Sequence, residues 1–148
     1  MNGYDAVVDI LKKEGFEWIA CFPANPLIEA AGKGGLKPIV FRQERGGIMA
    51  ADGYARMLAK EGKMGVFCSQ GGPGIENSFG GFAQAWAEAV PVLYLPAGSP
   101  ANVAEVKPAF DPQTNFAHIT KWCSSITKSS EISTQMRRAM SALSLIHN

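Results

Sequence analysis

Phe41-Arg42-Gln43-Glu44-Arg45-Gly46-Gly47-Ile48-Met49-Ala50-Ala51-Asp52-Gly53-Tyr54-Ala55-Arg56 is the segment on which the architecture turns. Residues 38–41, a β-branched and aromatic run, predict a short buried strand, and the alanine- and glycine-rich run that follows predicts a helix over residues 44–60, closed by Gly62. Glu44 therefore stands at a strand-to-helix turn. In an open α/β fold that turn lies at the carboxyl edge of the sheet, where ligands bind.

Small residues recur along this helix at spacings of three and four: Gly46, Ala50 and Gly53 on one face, Gly47, Ala51 and Ala55 on the next. An interior glycine costs about 1 kcal/mol relative to alanine. Three of them predict a helix packed closely on a neighbour.

Upstream, Tyr4, Val7, Val8 and Leu11 form a helical stripe that Gly15 ends, and residues 18–22 read as a buried strand. Pro23-Ala24-Asn25-Pro26 breaks that strand before a short helix beginning at Leu27. Downstream, residues 64–68 are a third strand. It runs into Ser69-Gln70-Gly71-Gly72-Pro73-Gly74, a turn that needs the backbone freedom of glycine. A helix over residues 75–89 follows, with Phe79, Phe82, Ala83 and Trp86 as its buried stripe. Residues 92–95 are a fourth strand, and the proline-punctuated run 99–113 is a long loop of the functional or mobile kind. Residues 119–127 predict a further strand around Trp122 and Ile126, and residues 131–145 a terminal helix through Ile132, Met136, Met140 and Leu143. Strands alternating with helices predict a single α/β domain, a doubly wound parallel sheet with helices on both faces.

Composition narrows the function. With 47% hydrophobic residues the chain can fill one core. A formal net charge of +1, with the cations scattered, gives no reason to expect nucleic acid or a membrane surface as partner. Cys21, Cys68 and Cys123 are odd in number and form no Cys-x-x-Cys pair, which predicts free thiols in a reducing, cytoplasmic setting. No apolar run reaches the length of a membrane span, and the first residues carry charges at helical spacing rather than a signal peptide pattern.

Gly72-Pro73-Gly74 at a strand-to-helix turn could cradle a phosphate. A dinucleotide fingerprint needs a third glycine where Asn77 stands and an acidic residue after the next strand, which Leu95-Pro96-Ala97-Gly98 lacks. No phosphate-binding Gly-x-x-x-x-Gly-Lys loop is present, so a nucleoside triphosphatase is disfavoured. His118 and His147, the two histidines, have no carboxylate or cysteine at ligand spacing, so no metal site is expected in this chain. Cys68 has no histidine nearby in sequence and reads as core rather than nucleophile.

Residues 42–56 resemble the signature of the pyrimidine-binding domain of thiamine-diphosphate enzymes of the acetolactate synthase and 2-oxo acid decarboxylase group. Gly72-Pro73-Gly74-Ile75-Glu76-Asn77 and then Ala85-Trp86-Ala87-Glu88-Ala89-Val90-Pro91-Val92 are similar to the same family in the same order, as is Ile119-Thr120-Lys121-Trp122. The resemblance implies a mechanism. Glu44 hydrogen-bonds N1′ of the cofactor's aminopyrimidine, and so activates C2 of the thiazolium for attack on a 2-oxo acid or aldehyde. It further implies cofactor contacts from Pro23, Gly72, Pro73, Gly74 and Asn77, and substrate contacts from Asn25 and Gln113. Ala24-Asn25 departs from the glycines often found at that turn, and Gln113 is one residue out of register with Ile119.

Relatives of this kind hold Mg2+ and the diphosphate through a Gly-Asp-Gly segment of a separate domain. The Asp52-Gly53 pair here belongs to the glutamate helix. The resemblance thus implies thiamine diphosphate as cofactor, with Mg2+ held on a domain absent from residues 1–148. The chain is then a fragment lacking the central and diphosphate-binding domains, or one subunit of a split enzyme. It is expected to be inactive alone and to act as a homodimer or with a diphosphate-binding partner. The other class left open is a non-catalytic assembly or regulatory subunit of the same fold.

Overall fold

The computed structural model describes residues 2–100, 102–103, 106 and 111–144. Four parallel strands, β1 (Trp18–Cys21), β2 (Lys37–Val40), β3 (Gly65–Cys68) and β4 (Val92–Tyr94), form one sheet in the order β2-β1-β3-β4. Alternate strand residues point to opposite faces, and each face has its own core. Ile19, Cys21, Val66, Cys68 and Leu93 meet helices α1 (Gly3–Lys13), α2 (Pro26–Lys33) and α6 (Ile132–Ser144). Ala20, Phe67 and Val92 meet α3 (Glu44–Met57), α4 (Pro73–Ala87) and the short α5 (Pro112–Phe116). The domain is the expected α/β sandwich of helices, sheet and helices.

Local sequence sets the helix starts. Asn2 and Asp5 form a reciprocal capping box on α1. Asn25 caps α2 with Pro26 as first helical residue, and Gly72, at φ 58°, hands the chain to Pro73 at the start of α4. Within α3, Asp52 accepts from Arg56, which also donates to Glu88 at the end of α4 and so ties the far ends of the two helices together.

The close packing expected of the glutamate helix is present on one of its two small-residue faces. A methyl on Gly47 would stand 2.4 Å from the Phe67 ring, and one on Gly65 only 2.2 Å from the Ala51 carbonyl oxygen. Gly47 and Ala51 therefore lie directly on the sheet, and Ala55 continues the buried face. Gly53, on the other face, has open space where a side chain would be.

Three expectations are corrected. Residues 37–40 do form a strand, but an edge strand with Ile39 37% and Val40 58% exposed rather than a buried one. Among the described residues only β1 pairs with it, and an edge is where a proline such as Pro38 is tolerated. Helix α4 turns Gly74, Ile75, Ser78, Gly81, Phe82 and Ala85 inward, leaving Phe79 and Trp86 at the surface. The cause is proximity: a methyl on Gly81 would sit 2.4 Å from Ile48 Cγ2, so the face against α3 must be small. Residues 119–127 form no strand. Thr120 bonds back to Phe116, and Ser125 takes the Gln113 side chain instead of a strand neighbour.

Candidate active site

Strand order reverses around β1 and β3, and the loops leaving their carboxyl ends meet there. Asn25 joins them. Its Nδ2 donates to Ser69 O at 2.9 Å and Leu95 O at 3.1 Å, while its Oδ1 accepts from Leu27 N at 2.9 Å. Every polar atom of this 7% exposed side chain is committed to backbone. Asn25→Ala is expected to cost about 2 kcal/mol, from a lost cap and buried carbonyls left short of donors. Asn25→Asp keeps the cap but sets a carboxylate against two carbonyls, and should cost at least as much. Urea unfolding of both variants checks this.

Glu44 is the first residue of α3 and is 3% exposed. Oε2 accepts from Asn77 Nδ2 at 3.2 Å, and Oε1 accepts no hydrogen bond from the described residues. Instead Oε1 faces Gly74, where a methyl would stand 3.1 Å from it and 2.6 Å from Gln70 Cγ. A side chain at 74 would fill that space. The carboxylate has no cationic partner among the described residues, and the N-terminal ends of α3 and α4 supply the compensating positive potential. Asn77 itself is exposed, so the buried acid lies one side chain beneath the surface.

The structure thus brings Glu44, Gly74 and Asn77 together, with Gly72 and Pro73 shaping the turn that carries the last two. Pro23 lies exposed in the bend after β1. Gln113 is in α5 and lines an open groove beside β4 with Tyr94, Phe116 and Trp122; Glu44 is not among that groove's lining residues. No three His, Cys, Asp or Glu side chains converge as a metal set among the described residues. Cys21 and Cys68 are buried register partners in β1 and β3, and the hydrogen bond with Cys21, followed by burial, pushes the Cys68 thiol up, which suits core rather than nucleophile.

One half-buried group here carried no sequence signal. Tyr94 stacks on Phe67 at 5.3 Å and packs against Phe82 at 5.5 Å, with its hydroxyl between Ser69 and Ser78. Burial pushes its phenol up to about 12, the two serines pulling it partly back. The unfolded chain's tyrosine gives up its proton near pH ~10. This contribution to stability is therefore whole below about pH 10 and is lost as pH rises toward about 12, by about 2 kcal/mol. Urea unfolding between about pH 9 and about pH 12 should show this loss in the native chain and not in Tyr94→Phe.

A buried carboxylate with one free oxygen thus stands at the carboxyl edge of a parallel sheet, beside a glycine-walled space. The chain belongs to the thiamine pyrophosphate enzymes, whose N-terminal TPP binding domain matches residues 1–124. It is 36% identical over 98 residues to the acetolactate synthase isozyme 2 large subunit of Escherichia coli (strain K12), covering 64% of this chain and 17% of that protein. It is 33% identical over 144 residues to the probable acetolactate synthase large subunit of Methanocaldococcus jannaschii, covering 94% of this chain and 24% of that one. The chloroplastic acetolactate synthase of Arabidopsis thaliana is 31% identical over 98 residues, 64% of this chain and 14% of its own length. The chain therefore spans a quarter or less of the curated relatives it matches.

Proposed function

We propose that this chain is the pyrimidine-binding domain of a carboligase or decarboxylase acting on a 2-oxo acid or aldehyde, with Glu44 as the acid that activates the cofactor. One observation carries the reading: a buried carboxylate with one oxygen held by Asn77 and the other turned to a space that Gly74 keeps open. The cofactor, when bound, supplies a thiazolium carbon that adds to a carbonyl. Glu44 holds and exchanges a proton at N1′ of its aminopyrimidine, and Asn77 fixes the carboxylate's rotamer. Gly72, Pro73 and Gly74 admit the ring edge.

Pro23 stands at the rim of the same sheet edge, where it would bound the cofactor. Asn25 would shape the cavity only indirectly, because its amide is committed to Ser69, Leu95 and Leu27. Gln113 would reach a substrate only by leaving its bond to Ser125. The diphosphate and Mg2+ fall to another domain, on the same polypeptide or a partner. The open face of α3 around Gly53 is the surface on which a second copy or that domain would pack. The three free cysteines suit a cytoplasmic setting.

The test is acetolactate formation from pyruvate by this domain assembled with a diphosphate-binding domain, thiamine diphosphate and Mg2+. Turnover is expected from the assembly, none from the isolated chain, and loss with Glu44→Gln. Undiminished turnover with Glu44→Gln would instead make the chain a non-catalytic assembly subunit.

A further inference from the structure

Three hydroxyls lie under the β3–α4 turn, and neither the packing nor the reaction explains why they are polar. Ser69 and Ser78 are fully buried. Tyr94 Oη lies 2.7 Å from Ser69 Oγ and 3.2 Å from Ser78 Oγ, and Ser78 Oγ lies 2.7 Å from Gly74 O. Each hydroxyl owns a single proton. Ser78 gives its proton to the Gly74 carbonyl, and the Tyr94 hydroxyl has three acceptors in reach: Ser69 Oγ, Ser78 Oγ and, at 3.5 Å, Gly74 O itself. Ser69 can donate to Tyr94 or, at 3.0 Å, to Gln70 O. A hydroxyl chain results, joining Ser69, Tyr94 and Ser78 to Gly74 O, which Tyr94 also reaches directly.

Its end point is the residue that walls the Glu44 carboxylate. Gly74 receives the chain on its carbonyl and presents its Cα to Glu44 Oε1, and Asn77, in the same helical turn, holds Oε2. The turn is fixed on its other side as well. Ser69 O accepts from Asn25 Nδ2 and from Ala97 N, both at 2.9 Å, and a methyl on Gly71 would stand 2.8 Å from Ala97 O.

We infer that Tyr94 and Ser78 are positioning residues for Glu44: through Gly74 they lock the first turn of α4, and with it the Asn77 amide, against the carboxylate. The kinetic part of this inference rests on the proposed role of Glu44; the structural part does not. A half-buried tyrosine hydroxyl that served the core alone would be replaceable by phenylalanine without consequence at Glu44, since the ring contacts with Phe67 and Phe82 survive.

The test uses the 148-residue chain labelled with 13C and 15N. Tyr94→Phe and Ser78→Ala should each move the Asn77 side-chain amide and Glu44 carboxyl resonances, and the double variant should move them no further than the larger single change. Val66→Ala, which loosens the opposite core, should leave both resonances in place. In the assembled enzyme, Tyr94→Phe should lower kcat about tenfold with KM for pyruvate unchanged, the pattern of a displaced catalytic group. Should Tyr94→Phe not fold, Ser78→Ala, which removes one buried oxygen, carries the same test. Unmoved Asn77 and Glu44 resonances in a folded variant would overturn the inference whatever the reaction. Undiminished turnover with Glu44→Gln would overturn the reading of Glu44 while leaving the resonance test standing.

Discussion

Glu44→Gln in an enzyme assembled from this domain and a diphosphate-binding domain is expected to lower turnover by about 10²- to 10⁴-fold, the range general acid-base groups contribute. The substitution is nearly isosteric, so the side chain should remain buried against Gly74 and beside Asn77. What is lost is the exchangeable proton. An amide can still donate a hydrogen bond to a ring nitrogen, so thiamine diphosphate affinity should fall far less than kcat. That split separates acid-base chemistry from simple binding: equal losses in affinity and kcat would mean that Glu44 only holds the cofactor. Steady-state rates against pyruvate, with cofactor binding by calorimetry, measure both.

Gly65→Ala is expected to be the most destabilising single methyl in the domain. The new Cβ would stand 2.2 Å from the Ala51 carbonyl oxygen and 2.7 Å from its carbon, both backbone atoms of α3. Nor can the strand withdraw, because β3 is held between β1 and β4 and Gly65 N donates to Pro91 O at 3.0 Å. Overpacking costs about 1 to 3 kcal/mol where neighbours can adjust. Here neither side can, so a loss of about 3 kcal/mol or more and a fall in Tm of about 10 °C are expected. Gly53→Ala is the matched control, since open space surrounds that position and alanine is the better helix former by about 1 kcal/mol. Thermal unfolding should rank them Gly53→Ala, native, Gly65→Ala. Native-like melting of Gly65→Ala would contradict the close docking of α3 on β3.

Much of this was legible in the sequence because it is written locally. The run into Glu44 marks a strand passing into a helix, and α3 does begin at Glu44. The glycines of residues 71–74 mark the second turn. What failed needed tertiary knowledge. Isoleucine and valine in a row announce a strand, but not whether it will be central or, like β2, an edge with Val40 in solvent. In α4 the large apolar residues suggested the buried stripe, whereas the distance to α3 selects the small ones. The spacing of Gly74, Ser78, Gly81 and Ala85 by four, three and four was the signal that favoured the other face. Asn25 could be marked as a polar residue at the sheet edge. That its amide is bound to Ser69 and Leu95 depends on loops far away in sequence. The hydroxyls of Ser69, Ser78 and Tyr94 meet only through the β3–β4 pairing, and no motif joins them.

The most direct measurement is the 15N resonance of thiamine diphosphate labelled at N1′, bound to the assembled enzyme. A Glu44 proton shared with that nitrogen should hold the resonance away from that of free cofactor, and Glu44→Gln should return it most of the way. The same N1′ resonance in native and Glu44→Gln enzymes, with cofactor bound in both, would show that this carboxylate does not meet the ring.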